Sequence, residues 1–344
     1  MTALPPRTEA KLGHYRNGLS AYDVCLRLEK NATTDEGRMH ARILGYLILH
    51  APSHMAQSEV VKVIHSCAED QKKLFDLGQC FRLWFIRPFK KSKGPTPRSS
   101  DHPSRPSFDR VKEDLKAQIK EAPKDRKGAK TQALIRDGYR CPVTGLYDMI
   151  ASKQSLVDGR SIKEAGGAVH TELAHILPES TYFDISKAST DKKDYSASVL
   201  AVLQRFGYDV DQVNGAKVHS LYNVITMQKD AHDAFDRLEM WFESTTEANC
   251  YDVKTASSVF LQLIRPQVTF TSPNPSILPY PSPQLLALHA TCAKVAHFSG
   301  AAEYIDNFDS DADRLDVLAT DGSSSAVLDH VLWGSISRPV GTVA

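Results

Sequence analysis

The chain has no long hydrophobic run. Its longest apolar stretch near the N-terminus, Ile43 to Leu49, is too short to span a bilayer. The opening residues, Met1 to Arg7, contain no apolar signal core. Together these absences predict an intracellular protein, cytoplasmic or nuclear, with no membrane partner. Cysteine is sparse: Cys25, Cys67, Cys80, Cys141, Cys250 and Cys292 are scattered with no CxxC pair. That spacing excludes a four-cysteine zinc staple and reads as reduced, mostly buried thiols. No internal repeat recurs.

Little charge of either sign is left over, with a net value of +1 across 344 residues. The balance is uneven, however. Residues 82–140 hold 17 Lys or Arg against 7 Asp or Glu, or +10, which leaves −9 for the remainder. Backbone phosphates attract such a cationic block whatever their sequence. Its Pro/Ser-rich part also reads as a solvated linker.

The length admits two or three domains, or one large domain with insertions. Four stretches stand out. Residues 1–89 read as helical: Thr33-Thr34-Asp35-Glu36 suits a capping box, and Met39, Ile43, Leu44, Leu47 and Ile48 follow at helical spacing. Val60, Val61, Val63, Ile64, Leu74, Phe75, Leu83 and Trp84 continue an apolar face. Residues 90–138 form a basic linker and helices. Pro95, Pro97, Pro103 and Pro106 break it, Ser107 is placed to cap a helix, and a helix from Ala129 to Asp137 ends at Gly138. The clusters Lys90-Lys91-Ser92-Lys93 and Lys124-Asp125-Arg126-Lys127 suit nuclear import.

Residues 139–245 change character. Arg140 to Gly145 predicts a strand entering a tight turn, and Ala168 to Pro178 a second strand running into a loop. Ser196 to Phe206 is an amphipathic helix. Asp230 is placed to cap a helix through Leu238, with a strand at Met240 to Glu243. Residues 246–344 hold edge strands at Phe260 to Ile264 and Val268 to Phe270. A helix then opens at Ser282-Pro283 and closes at Gly300, and an acidic tail follows. Asp309-Ser310-Asp311-Ala312-Asp313 lacks the glycine and the final glutamate of a calcium loop and reads as acidic helix.

The chemistry concentrates in Ala174-His175-Ile176-Leu177-Pro178, Asn223 and His232-Asp233-Ala234-Phe235-Asp236. An apolar stretch delivers one histidine at its end. Downstream, His232 and Asp236 lie four residues apart on one helix face. An imidazole with a near-neutral pKa suits proton transfer from water, and the later pair suits a cation. Taken singly, His175 reads as an ordinary half-buried histidine and His232/Asp236 as a solvated i,i+4 pair. It is their ordered occurrence with Asn223 that favours a site.

Cys141-Pro142-Val143-Thr144-Gly145, Ala174-His175-Ile176-Leu177-Pro178, Asn223 and His232-Asp233-Ala234-Phe235-Asp236 resemble, in that order, the His-Asn-His (HNH) endonuclease superfamily. The likeness is to a subgroup written C-x-V-T-G … AHI-x-P … N … H-x-x-F-D, as in fungal proteins carrying this domain between helical flanks. It implies an α+β fold: a small ββα-metal core flanked by largely helical N- and C-terminal regions. It implies an endonuclease hydrolysing phosphodiester bonds in nucleic acid, DNA first. His175 would be the general base, Asn223 the residue fixing its loop, and His232 and Asp236 the ligands of one divalent ion. Mg²⁺ is expected first, with Mn²⁺, Ni²⁺ or Zn²⁺ as alternatives, and no organic cofactor. Many relatives carry a further ligand directly before the base. Here that position is Ala174, so Glu172 is the candidate additional ligand, with His170 and His219 behind it. Lys124, Arg126, Lys127, Lys130 and Arg140 are the candidate nucleic-acid contacts. Ala174 also motivates the other reading: an inactive nucleic-acid- or protein-binding module on a degenerate HNH scaffold.

Overall fold

The computed structural model describes residues 2–7, 16–91, 106–120, 122, 126–182, 190–258 and 264–314. The N-terminal helices are α1 (Arg16–Asn31), α2 (Asp35–His50), α3 (His54–Ser66) and α4 (Gln71–Phe81). Three of them start on a side chain that accepts an orphan amide: Thr34 from Gly37, Ser53 from Ala56 and Asp70 from Lys73. The cap is Thr34 rather than Thr33, and Glu36 turns to Arg82 instead of closing a reciprocal box. After α4 the backbone widens into a π-helical turn at Arg82–Ile86 and then a single α-turn at Arg87–Phe89. This bend buries Trp84, Phe85, Ile86 and Phe89 and leads the chain toward the centre of the molecule.

Next come α5 (Pro106–Gln118), which begins one residue before the expected cap, and α6 (Lys127–Arg136). Of the strand and tight turn expected at Arg140 to Gly145, the turn forms and the strand is reduced to one antiparallel bridge, Arg140 to Tyr147. Pro142 has no amide to offer a ladder, the Gly145 amide donates back to the Cys141 carbonyl, and Gly145 sits at φ 78. The strand comes just after it, as β1 (Tyr147–Asp148), pairing in parallel with β2 (Ala168–Val169) around two short helices, α7 (Met149–Lys153) and α8 (Gly159–Glu164). Cys141 is a buried thiol, as expected.

The second expected strand is interrupted at His170. Its main part, β3 (Thr171–His175), pairs antiparallel with β4 (Val224–Gln228), and His175 stands opposite Val224. The helix α9 (Thr190–Arg205) and several 3₁₀ turns fill the connection, and α10 (Lys229–Asp236) leaves β4 directly. This is a ββα unit. Gln228 rather than Asp230 stands at the start of α10, and its side-chain amide donates to Asp230.

An antiparallel three-stranded sheet follows: β5 (Met240–Ser244), β6 (Cys250–Thr255) and β7 (Gln267–Thr269). Ser282 caps α11 (Pro283–Ser299), Gly300 ends it at φ 87, and α12 (Ala301–Arg314) carries the acidic run as helix. The strand expected at 260–264 falls almost wholly outside the described residues.

One apolar cluster joins α1–α4, the π-turn, α9, α10, β5 and α11. The ββα unit is therefore held between the helical flanks. The buried Arg136 fixes its rear. Its guanidinium donates to both Asp137 carboxylate oxygens (2.7 and 3.0 Å) and to the carbonyls of Leu221 (2.6 Å) and Val224 (2.8 Å). Asp137 in turn accepts from the Thr226 amide (2.9 Å). A buried ion pair with its remaining hydrogen bonds satisfied is rigid and costly to break, and this one locks β4 onto α6 just behind Asn223.

Candidate active site

Asn223 is wholly buried, and its side chain is fully used. Its Oδ1 accepts from the Leu177 amide (2.8 Å), and its Nδ2 donates to the carbonyls of Leu177 (2.9 Å) and Val218 (2.8 Å). Its own carbonyl accepts from the Ile176 amide (2.8 Å). One amide thus fixes the loop leaving His175 and the turn carrying His219. Asn223 thus bonds both the segment that follows His175 and the residue that precedes His219.

His175 ends β3 and is buried to 6% exposure. Its Nε2 shares a hydrogen bond with His219 Nδ1 at 2.9 Å. Glu179, in the turn Glu179–Tyr182, places Oε2 3.9 Å from His175 Nε2 and 3.8 Å from His219 Nδ1. That oxygen is buried and has no hydrogen-bond partner, while Oε1 pairs with Arg126 at 2.8 Å. Burial pushes the His175 imidazole down to about 3, and the neighbouring His219, Arg126 and His232 push the same way. Burial also raises the Glu179 carboxyl, against the pull of Arg126 and His219. His175 is therefore uncharged at neutral pH and offers a lone pair.

On α10, His232 Nε2 lies 3.4 Å from Asp236 Oδ2, and His232 Nδ1 lies 2.8 Å from Glu172 Oε2. The two carboxylates occupy opposite ring nitrogens. Asp236 lines the central cavity and Glu172 does not. Glu172 therefore orients the ring from behind, as carboxylates behind ligating histidines do, instead of joining Asp236 around one ion. Burial raises the Asp236 carboxyl, opposed first by His232 and then by Lys91. His232 Nε2 and Asp236 Oδ2 thus face the cavity as a pair of donor atoms, with Glu172 on the other ring nitrogen. Ala174 is fully buried in the core and contributes nothing to it.

His175, Glu179, His232 and Asp236 open on one cavity of about 400 Å³. Its wall also carries Arg87, Lys91, Arg126 and Lys192. The segment 87–91 is fixed there: the Lys91 amide donates to the Asp236 carbonyl (2.6 Å) and Lys91 Nζ to Asp233 (2.9 Å). Lys90 is buried, donating to the Arg237 carbonyl (3.2 Å) and pairing with Asp306 (3.0 Å).

The expected basic contacts divide. Arg126 reaches the cavity. Lys130 is engaged by the Thr171 carbonyl (3.1 Å), Lys127 opens α6 at the surface, and Arg140 lies in a different, smaller pocket with Asp137 and Arg265. Lys124 lies outside the described residues. His170 is exposed beside β3 and does not line the cavity.

Residues 141–243 match the family model described as HNH endonuclease. The likeness to that family is confined to this segment. No curated protein and no solved structure gives a significant match to the chain. The matched span contains His175, Glu179, His219, Asn223, His232 and Asp236, whereas Arg87, Lys91 and Arg126 reach its cavity from outside it. HNH domains are nucleic-acid hydrolases and generally use a divalent metal ion. Glu179, Lys192 and the rank of His219 escaped the sequence reading, while Arg87 and Lys91 belong to the basic block expected to meet phosphates. The one local signal was Glu179 itself, a carboxylate four residues after His175.

Proposed function

We propose that this protein is a metal-dependent endonuclease hydrolysing phosphodiester bonds in DNA. The observation that carries the reading is the convergence of His175 with His232 and Asp236 on one cavity walled by Arg87, Lys91, Arg126 and Lys192. A polyanion entering it meets cations at the wall and an uncharged imidazole at the base.

His175 Nε2 accepts the proton of the attacking water, displacing His219 Nδ1 from that nitrogen. Burial that holds the resting ring at about 3 makes it a weak base, and the negative charge of Glu179 Oε2, 3.9 Å from Nε2, is what favours the imidazolium that forms. Asn223 keeps the base loop still, so that the water is held in line instead of wandering. His232 and Asp236 would hold the cation, Mg²⁺ first, which supplies charge neutralisation at the scissile phosphate and the leaving oxygen. Lys91 and Arg126 hold neighbouring phosphates and carry no sequence information.

A second reading is favoured by one feature, Ala174 buried where many relatives place a ligand. On that reading the domain binds nucleic acid or a protein without cutting. Thermal unfolding with and without Mg²⁺ or Mn²⁺ separates the two. A cation-dependent rise in Tm that is lost in His232→Ala/Asp236→Ala supports the nuclease. No shift with either ion favours the binding module.

A further inference from the structure

We infer that His175, His219 and Glu179 form a second metal site, specific for a transition ion of the Zn²⁺ type and separate from the His232/Asp236 pair. Three donors arrive from three segments: the end of β3, the turn after it and the turn before Asn223. Their ligand atoms are 2.9, 3.8 and 3.9 Å apart. A tetrahedral zinc ion with bonds of about 2.0–2.2 Å sets its donors roughly 3.3–3.5 Å from one another. A shift of about half an ångström in each side chain converts the observed triangle into that shape.

The burial of the donors agrees. Glu179 Oε2 is buried without a hydrogen-bond partner, a condition that costs free energy until something positive meets it. Arg126 does not relieve it, since that guanidinium holds the other oxygen. The backbone on both sides is already fixed by Asn223 through Leu177 and Val218, so little ordering remains for the ion to impose.

The donor set decides the class of ion. Two imidazole nitrogens and one carboxylate suit Zn²⁺, Co²⁺ or Ni²⁺; Mg²⁺ prefers oxygen and water. His175 and Glu179 border the cavity, which leaves the fourth position for water. One consequence follows for the proposed nuclease: His175 Nε2 cannot hold a zinc ion and accept a proton at once. Zinc at this site therefore inhibits cleavage supported by Mg²⁺ at His232 and Asp236.

The test is zinc binding by the full-length protein, stripped with chelator and titrated with Zn²⁺ against a chromophoric chelator, with Co²⁺ absorption as the coordination readout. Wild type and His232→Ala are expected to bind one Zn²⁺ tightly and to give the intense visible bands of tetrahedral Co²⁺. His219→Ala and Glu179→Gln are expected to weaken binding at least tenfold and to lose those bands, with circular dichroism confirming the fold. Zinc affinity in both variants equal to wild type overturns the site, as does loss of all zinc binding in His232→Ala alone. Because binding is read without substrate, absence of cleavage leaves this result standing and counts only against the nuclease.

Discussion

Replacing Asn223 by alanine removes three hydrogen bonds at once. The Leu177 amide, the Leu177 carbonyl and the Val218 carbonyl all lose their partner inside the protein. A buried backbone group left unpaired costs about 1–3 kcal/mol. The cavity left by the side chain can admit a water, which places the total near the lower end, at about 3–4 kcal/mol. That is a large share of the roughly 5–15 kcal/mol by which a folded domain is stable. The same change frees the loops of both His175 and His219, so cleavage falls by about a hundredfold or more, as expected when a catalytic group loses its position. Asn223→Asp sharpens the argument. It keeps the volume and the acceptor but turns the donor into an oxygen facing two carbonyls. It is expected to be as damaging as alanine. Urea unfolding followed by tryptophan fluorescence gives the stability, and plasmid nicking gives the activity. A wild-type urea midpoint for Asn223→Asp would refute the hydrogen-bond account, because only packing would then matter. Loss of stability below about 1 kcal/mol for Asn223→Ala would refute it too.

Lys91→Ala removes an exposed ion pair with Asp233, worth at most about 1 kcal/mol. Its larger expected effect is on DNA affinity, with the slope of log affinity against log salt falling by about one; an unchanged slope would take Lys91 out of the phosphate path. The buried rings of His40 and His289 are both pushed to about 3, mainly by burial. Unfolded, each takes up a proton below about 6.5, whereas folded it does not until about 3. Stability is therefore full above pH 6.5 and is lost as pH falls from there toward 3. Between pH 7.5 and 5.5 each ring contributes a loss of about 1.4 kcal/mol. His40→Leu should reduce the measured loss by that amount, and an unaltered loss would show that His40 is not the titrating group.

The legible parts of the site were those with local grammar. His175 closes an apolar run that needs a strand, His232 and Asp236 share a helix face by spacing, and Ser282-Pro283 and Gly300 bracket a helix by backbone chemistry. His219 sits on a 3₁₀ turn with no periodicity, 44 residues from the ring it meets, and Asn223's third hydrogen bond, to the Val218 carbonyl, helps to place it. Charge was the most misleading signal. Arg82, Lys90 and Arg136 counted toward the basic block, yet each is buried and bonded to protein groups. Lys192 lay outside that block and reaches the cavity. Composition records how many cations a segment has, and only the fold decides which of them face solvent. Of the strand and tight turn expected from Arg140 to Gly145, only the turn forms, because Pro142 has no amide for a ladder.

The central claim is that His175 activates water and that His232 holds the cation beside it. The most direct measurement is plasmid cleavage by wild type, His175→Ala and His232→Ala with Mg²⁺ and with Mn²⁺, together with DNA affinity for each. The account predicts metal-dependent nicking by wild type. It predicts loss of nicking in both variants, with His175→Ala still folded and binding DNA as wild type does. Wild-type cleavage by His175→Ala, or no cleavage by folded wild type with either ion, would contradict it.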